Sequence, residues 1–408
     1  MRSKLLLWAG LLPVLACSAA GAQPGSDTLT AERVVALARA GAPQVRLAES
    51  EVVAARGRLS GARALGQENP SIEGVATADD RFEQRTQWEL TVPIGIGLSW
   101  AGRSGVAGAE LERERRLVGD ARRGAVGAAL AAYFRVLHGT RRVELARERR
   151  ALAADLNRTS SERHRAGEVP RLDVLLTETE EIRAESQLLG EQQSLARERI
   201  ALAAALGLRS GANLVVAGDL ADRSVVEPAP EPQPPGAEAR ADVLAAESEL
   251  RAARAAGDLA RADLLPGLAF RLNYGHESGE PVAMPGLAVT VPIFQYGQES
   301  RQLARAREAR ARVELERLQN AAAAEIEGFR GIYEQASAAV EQLGDRGLPR
   351  VRESEAMARE SYRAGKLDLP ALLVVRRELL DARREHVDRL LDAALAGIDL
   401  AVAMGSFQ

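Results

Sequence analysis

The sequence has few aromatic residues, with 3 Trp, 5 Tyr and 6 Phe among 408 residues. Aromatic side chains supply much of the buried area of compact folds. Their scarcity therefore argues against the two or three ordinary globular domains that the length alone would suggest. The chain is instead rich in Ala, Leu, Glu and Arg, a composition that favours long helices packed closely on one another.

Cysteine and lysine are almost absent. Because Cys17 is the single cysteine, a disulfide framework and a cysteine-based metal cage are both excluded. Lys4 and Lys366 are the only lysines, so nearly all of the basic charge comes from arginine. The 54 basic and 57 acidic residues give a net charge of -3, which excludes a generic polyanion binder, and no nucleic-acid partner is expected.

Patterns that carry catalysis or bind cofactors are also missing. The sequence has no Walker A loop, no Ser-x-x-Lys motif, no glycine-rich phosphate cradle after a strand, and too few methionines for a soft-metal ladder. The histidines are isolated, and none forms a His-x-x-x-His pair. They are His138, His164, His276 and His386. We therefore expect no enzyme activity, no cofactor and no metal site.

The N-terminus has the features of a secretory signal. Arg2 and Lys4 precede an apolar run that ends at Ala16, and Ala20-Gly21-Ala22 offers a small-residue cleavage site. This pattern predicts that residues 1–22 are removed on export.

A second interpretation of the same segment involves Cys17. The sequence Val14-Leu15-Ala16 before it resembles a lipoprotein processing site, in which residues 1–16 are removed and the cysteine is acylated. Cys17 is therefore a candidate for lipidation, and both interpretations remain open.

No later segment can form a membrane-spanning helix, which needs about 20 apolar residues. The longest uncharged internal stretch, Pro281–Gln298, contains three prolines, and these forbid a continuous helix. If the exported chain enters a membrane, it does so through a lipid anchor or through β-strands.

The chain contains two copies of one unit. Five short segments recur in register at an offset of 198 or 199 residues, which indicates a tandem duplication. They are Glu49-Ser50-Glu51 with Glu247-Ser248-Glu249, Ala62-Arg63-Ala64 with Ala260-Arg261-Ala262, Thr91-Val92-Pro93-Ile94 with Thr290-Val291-Pro292-Ile293, Arg165-Ala166-Gly167 with Arg363-Ala364-Gly365, and Gly207 with Gly405.

The copies set the predicted domain limits. Repeat 1 covers residues 23–206 and repeat 2 covers residues 237–408. Between them, residues 207–236 form a linker that has five prolines after position 226.

Both copies are predicted to have the same element order. Repeat 1 has a helix at Ala31–Gln67, a β-hairpin at 70–94, a long helix at Ser104–Arg165, a glycine turn at 165–170 and a return helix of about 35 residues. Repeat 2 has a helix at Ala237–Leu264, a hairpin at 267–294, a long helix at Gln298–Arg363 interrupted near 344–349, a turn at 363–369 and a return helix. An apolar stripe along the last helix is typical of a coiled-coil or bundle seam.

The hairpins show period-two alternation, which gives each strand one apolar and one polar face. The apolar positions include Leu268, Phe270, Leu272 and Tyr274 in repeat 2, and Trp88, Leu90 and Val92 in repeat 1. The connecting loops are predicted at Asp79–Arg85 and Gly275–Ala283. Strands of this length suit a tilted bilayer crossing. The alternative is a soluble two-stranded flap, which would be marginally stable in water.

Four strands per chain cannot close a barrel, and lipid does not tolerate open strand edges. Three chains would supply twelve strands, which can close. A homotrimer is therefore expected on the condition that the strands enter a membrane.

At this point the sequence resembles the TolC-type outer membrane factors, over about residues 29–408. The motifs that carry the resemblance are the entry segment Leu29-Thr30-Ala31-Glu32, the strand start Asn69-Pro70-Ser71, the two Thr-Val-Pro-Ile segments, and the two glycine turns with the helix starts that follow them. The segment Leu98–Arg103, where the strand gives way to the helix, resembles the corresponding segment of the CzcC-like heavy-metal branch.

The resemblance implies a mainly α fold with a small membrane β part. A tandem repeat of long helices would build an α-barrel, and four strands per protomer would close a 12-stranded β-barrel as a trimer. It further implies a passive exit duct in the Gram-negative outer membrane, with most of the mass in the periplasm. The duct would serve an RND-type tripartite efflux or a type I secretion system, with a periplasmic adaptor and an inner-membrane pump as partners. Heavy-metal cations are one possible cargo.

The resemblance also assigns roles to residues at the two glycine turns. The adaptor-contact positions are Ala166, Gly167, Glu168, Val169, Ala364, Gly365, Lys366 and Leu367. Asp173 and Tyr362 match a family pair that links helices at the closed entrance. A second family link falls on Leu172 and Leu367, which cannot form it, so the entrance is expected to be more apolar.

One alternative comes from a different class of protein. Long helices alone would also suit a periplasmic coiled-coil protein, structural or adaptor-like, without a membrane span. The two alternating hairpins at equivalent places favour the channel, because an adaptor would have one helical hairpin between two half-lipoyl segments.

Overall fold

The computed structural model describes residues 28–407, apart from gaps at 65–68, 80–81, 95–96, 210–213, 223, 225–236, 263, 278–279, 292 and 295. The predicted signal segment, Cys17 and the proline-rich part of the linker lie outside the described residues. The described elements are α1 (Ala31–Gly41), α2 (Pro43–Ala62), β1 (Ser71–Asp79), β2 (Phe82–Ile94), α3 (Gly97–Arg165), α4 (Arg171–Ala205), α5 (Ala241–Ala262), β3 (Gly267–Glu277), β4 (Glu280–Thr290), α6 (Gln298–Glu341), α7 (Leu348–Arg363) and α8 (Leu369–Ala403).

The element order repeats along the chain. Helices α4 and α8 have 35 residues each, and their bounds differ by 198 at both ends. Helix α2 corresponds to α5, and the pair β1–β2 corresponds to β3–β4. The fold class expected from the sequence, long helices with one small sheet, is confirmed.

The long helices differ between the copies. Helix α3 runs for 69 residues without a break, which spans about 100 Å at 1.5 Å per residue. Its counterpart is divided into α6 and α7 by a π-helical segment, Gln342–Gly347. The predicted interruption near 344–349 is therefore a change of helical pitch, because the chain continues as helix on both sides.

The first predicted helix, Ala31–Gln67, is wrong as a single element. The chain breaks at Ala42, whose ψ of 137° is extended, and restarts with Pro43 in the first turn of α2. A residue before proline is pushed away from the helical region, while proline itself fits a first helical turn.

The predicted hairpin loops are also too long. Strand β2 begins at Phe82 inside the expected loop Asp79–Arg85, and β3 and β4 extend through most of the expected loop Gly275–Ala283. The backbone hydrogen bonds between two strands do not depend on side-chain polarity, so polar residues near the end of a hairpin can still belong to its strands.

The main core lies in the middle of the long helices. There α1, α3 and the ends of α4 and α8 enclose fully buried side chains such as Leu130, Phe134 and Leu202. The segment after α4 adds to this core through a parallel bridge between Leu29 and Val216. Tyr133 donates a hydrogen bond of 2.8 Å to the Ala217 carbonyl, so this segment is tied to α3.

Candidate functional site

The sheet at one end of the molecule joins the two repeats. Its strands are antiparallel in the order β1-β2-β3-β4, so β2 of repeat 1 pairs with β3 of repeat 2. In the part of the chain that the structure describes, the outer edges of β1 and β4 pair with no further strand.

The register brings the apolar positions onto one face. Leu90 lies between Ile72 and Leu272, and Phe270 lies between Val92 and Leu287. Directly paired residues of antiparallel strands point to the same side, so these rows form one continuous apolar surface. That surface is uncovered, since Ile72 is 69% and Leu287 62% exposed.

The opposite face holds the charged and amide side chains of the described sheet. Glu89, Asn273 and Met284 are paired in one row, and Ser71, Thr91 and Arg271 are paired in the next. Arg271 Nε lies 3.4 Å from Glu89 Oε1, and Thr91 donates to the same carboxylate at 3.1 Å. The sheet therefore has one face suited to lipid and one suited to water.

The second candidate region is the far end of the long helices, where two short turns reverse the chain. In the first turn Gly167 has a φ of 79°, and in the second Gly365 has a φ of 70°. Glu168 N donates to Arg163 O at 2.9 Å, and Lys366 N donates to Ser361 O at 2.9 Å. Both turns are thus Schellman caps, which place glycine in the left-handed conformation.

The predicted contact residues of these turns are at the surface. Ala166, Gly167 and Glu168 are exposed, as are Ala364, Gly365 and Lys366, while Val169 and Leu367 are half-buried. The geometry fits a simple helix cap and a docking tip equally well, so the contact role of these residues remains a prediction.

One arginine connects the two turns. Arg163, in the last turn of α3, donates from Nη1 to the Tyr362 hydroxyl at 2.9 Å, and its guanidinium lies 5.9 Å from the centre of the Tyr362 ring. The same arginine donates from Nε to Glu168 at 3.1 Å. Its pKa is raised, first by the hydrogen bond to Glu168 and then by the charge interaction with Tyr362.

The expected partner of Tyr362 was Asp173. In the described part of the chain Tyr362 contacts Arg163, and the Asp173 backbone carbonyl accepts from Thr177 at 3.1 Å. The hydroxyl of Tyr362 accepts a hydrogen bond from Arg163 in this contact. The Asp173–Tyr362 link therefore stays a prediction. Sequence reasoning missed Arg163, because nothing local connects it to a residue 199 positions away.

A polar cluster ties three long helices together above the turns. Arg142 of α3 donates to Glu191 of α4 at 2.7 Å and to Asp388 of α8 at 2.8 Å. His138 lies 2.7 Å from the same Asp388 carboxylate. Burial would raise the pKa of Asp388, but the hydrogen bonds from His138 and Arg142 hold it below its usual value.

The π-helical segment packs against α8 through His386. A Cβ at Gly344 would lie 2.9 Å from His386 Cε1, so a larger residue at this position would require the His386 ring to move. Burial lowers the pKa of His386, Arg352 lowers it further, and Asp345 opposes both.

Two further findings bear on function. Among the described residues, no group of three or more His, Cys, Asp or Glu side chains could hold a metal ion. Nor does any helix in the described ranges have the length and hydropathy of a membrane span.

Known proteins share this architecture. A family model described as "Outer membrane efflux protein" matches residues 237–406. The cobalt-zinc-cadmium resistance protein CzcC of Cupriavidus metallidurans is 26% identical over 290 residues, which cover 71% of this chain and 67% of that protein.

Solved channel structures match almost the whole fold. CusC superimposes with a TM-score of 0.79 at 17% identity, covering 92% of this chain and 91% of CusC. The open state of the Neisseria gonorrhoeae MtrE outer membrane channel superimposes with a TM-score of 0.77 at 17% identity, covering 92% and 88%.

A sheet with one apolar face, joined to helices about 100 Å long, is the architecture that this chain shares with solved outer membrane channels. The chain matches the outer membrane efflux protein family over residues 237–406 and shares the fold of solved channels. It resides in the outer membrane, and its large helical part extends into the periplasm. The matched family model describes an efflux protein, and the superimposed structures are those of channels.

Proposed function

We propose that the protein is the passive exit duct of a tripartite efflux system and that it works as a homotrimer. The observation that carries this proposal is the sheet, with a continuous, uncovered apolar face and two outer edges that lack a partner strand in the described chain. An apolar face needs lipid, and lipid requires every strand edge to be paired.

Other copies of the chain can satisfy those edges. The β1 edge of one protomer would pair with the β4 edge of the next, and three copies would give a closed barrel of twelve strands. The polar face would then line the water-filled interior, as in other outer membrane barrels.

The opposite end would meet the partners. The two turns, with the eight contact positions named above, would dock a periplasmic adaptor, and the adaptor would connect the duct to an inner-membrane RND-type pump. Arg163 and Tyr362 support a role for this end as an entrance, because they join the ends of α3 and α7 where those helices reverse.

The similarity to a cobalt-zinc-cadmium resistance protein supports divalent heavy-metal cations as the exported class. The duct itself would not select them, since the described residues offer no metal-binding cluster. Selection would lie in the pump.

Two measurements test this proposal. Native mass spectrometry of the protein extracted from outer membranes should give three copies of the chain, and a monomer or dimer would refute the duct. Deletion of the gene should lower tolerance to zinc, cobalt or cadmium, and the plasmid-borne gene should restore it. Unchanged tolerance to all three metals would refute the metal assignment and leave the channel intact.

A further inference from the structure

The tip surface, defined as residues 163–171 and 361–369, has an uneven charge. Its basic side chains are Arg163, Arg165, Arg171, Arg363 and Lys366, and its acidic side chains are Glu168 and Asp368. The excess of positive charge lies at the end of the molecule that the proposed function assigns to the adaptor.

Both carboxylates of the tip surface are already occupied. Glu168 pairs with Arg163 at 3.1 Å within the first turn. Asp368 caps α8, where its side chain accepts from Ala371 N at 3.0 Å. Each carboxylate therefore already uses part of its accepting capacity within its own turn.

The remaining cations are free. Arg165, Arg171, Arg363 and Lys366 are exposed, and no ion pair with a carboxylate is found for them in the described part of the chain. Elsewhere the arginines of this chain are often paired, as with Arg377 and Glu180 at 2.8 Å and Arg150 and Glu185 at 2.8 Å. Three acidic residues border the tip surface on its helix side: Glu162 and Glu360 directly precede its two segments, and Asp173 lies two residues after Arg171.

We propose that the tip surface binds an acidic partner, namely a periplasmic protein that places Asp or Glu side chains against Arg165, Arg171, Arg363 and Lys366. This inference rests on the proposed function for the existence of a docking partner, and it adds the chemistry of that partner. Complementary charge guides encounter and fixes register more than it adds affinity. Contact through exposed cations is also weakened by salt, because the Debye length falls to about 8 Å at physiological ionic strength.

Lys366 makes the proposal directly testable, because Lys366 and Lys4 are the only lysines of the sequence. Among side-chain amines outside the predicted signal segment, a cross-link can therefore form only at Lys366. A carbodiimide joins an amine to a carboxylate with no spacer, whereas a bis-succinimidyl ester joins two amines. Cells that carry the native channel would be treated with each reagent, and the joined peptides would be identified by mass spectrometry.

We expect the carbodiimide to join Lys366 to an Asp or Glu of a periplasmic protein. The variant Lys366→Arg keeps the charge but loses the reactive amine, so it should retain the complex and lose the adduct. The double variant Arg363→Glu, Lys366→Glu should lower the amount of complex about tenfold, which corresponds to about 1.4 kcal/mol. Arg305→Glu, an exposed site on α6 far from the tip surface, should leave it unchanged.

The other outcomes would overturn the proposal. An adduct of Lys366 with a carboxylate of another copy of this chain would mean that the cations serve the trimer. An amine-to-amine adduct without a carbodiimide adduct would show a partner that is not acidic at this contact. If neither reagent gives an adduct while native mass spectrometry shows the trimer, the proposed channel is supported and the proposed acidic partner is refuted.

Discussion

Gly102 shows how closely the helices of this protein approach each other. It lies where α3 meets α5, and a Cβ at this position would be 2.9 Å from the Cα of Leu259. A backbone atom cannot move aside as a flexible side chain can. Gly105 lies three residues farther along the same helix. A Cβ at Gly105 would lie 3.6 Å from the Cβ of Ala255, which is an ordinary van der Waals contact.

This difference gives a matched pair of substitutions. Gly102→Ala should destabilise the folded chain by about 1–3 kcal/mol, because overpacking forces the helices apart. Gly105→Ala should be neutral or stabilising by up to about 1 kcal/mol, since alanine is the better helix former. Thermal unfolding of the detergent-solubilised protein, followed by circular dichroism, measures both. Equal transition temperatures for the two variants would contradict the packing at Gly102.

The pKa of Asp388 predicts a dependence on pH. Its folded pKa lies below that of the unfolded chain, so its pairing stabilises the protein above the unfolded value of about 3.9. That contribution is lost as the pH falls through the lower, folded value. Because the side chain is 41% exposed, solvent screening keeps the effect to about 1 kcal/mol or less.

The test is Asp388→Asn, which removes the charge and nearly keeps the shape. The variant should have a lower free energy of unfolding than the native protein at about pH 5. This difference in unfolding free energy should become smaller below about pH 4. A gap that stays constant through this range would show that the carboxylate charge plays no part.

At the scale of elements, the sheet makes the clearest prediction. Leu272 lies on the apolar face and its neighbour Asn273 on the polar face, in the same strand. Leu272→Asp should place a charge in lipid at a cost below the about 2–4 kcal/mol that a mid-membrane Arg or Lys costs. It should reduce the amount of heat-modifiable oligomer in the outer membrane, whereas Asn273→Asp should be tolerated. Equal amounts of the two variants would mean that the apolar face does not meet lipid.

The contact between α3 and α7 makes a second prediction. Arg163→Met should remove the hydrogen bond to Tyr362 and loosen the join between the two helix ends, so the single-channel conductance in planar bilayers should rise. Arg158→Met is the matched control, because Arg158 pairs with Asp155 of its own helix. If both variants conduct like the native protein, Arg163 does not hold the entrance.

Local patterns predicted which helices and strands are present more reliably than the residues at which they begin and end. The alternation of Leu268, Phe270 and Leu272 correctly gave the strand and its apolar face. The predicted hairpin loops were too long. Polar residues near the end of a strand occur both in loops and in strands whose backbone hydrogen bonds continue, so polarity alone does not distinguish the two. The break at Ala42 was missed although Pro43 signals it, since the apolar pattern continues across the break.

At the scale of the whole molecule, the two repeats do not stand alone. Strand β2 of repeat 1 pairs with β3 of repeat 2, and Ile398 of α8 lies in the same core as Leu130 of α3. The core is therefore shared, unlike that of two tandem domains.

A split of the chain tests this sharing. Repeat 2 expressed alone, from residue 237, should not yield a folded product, because its core positions would face water. The two halves, divided within residues 225–236 and expressed together, should copurify. Recovery of repeat 2 alone with cooperative unfolding would contradict a shared core.

The sequence by itself determined the duplication, the helix and strand types, the apolar face of the sheet and the two glycine turns. These features depend on residues close together in the chain, through periodicity and backbone preference. Only the tertiary structure decided that the two hairpins form one sheet, that Arg142 joins three helices, and that Arg163 reaches Tyr362. Such contacts join residues up to 246 positions apart, and no local pattern specifies which of the 52 arginines will meet which partner.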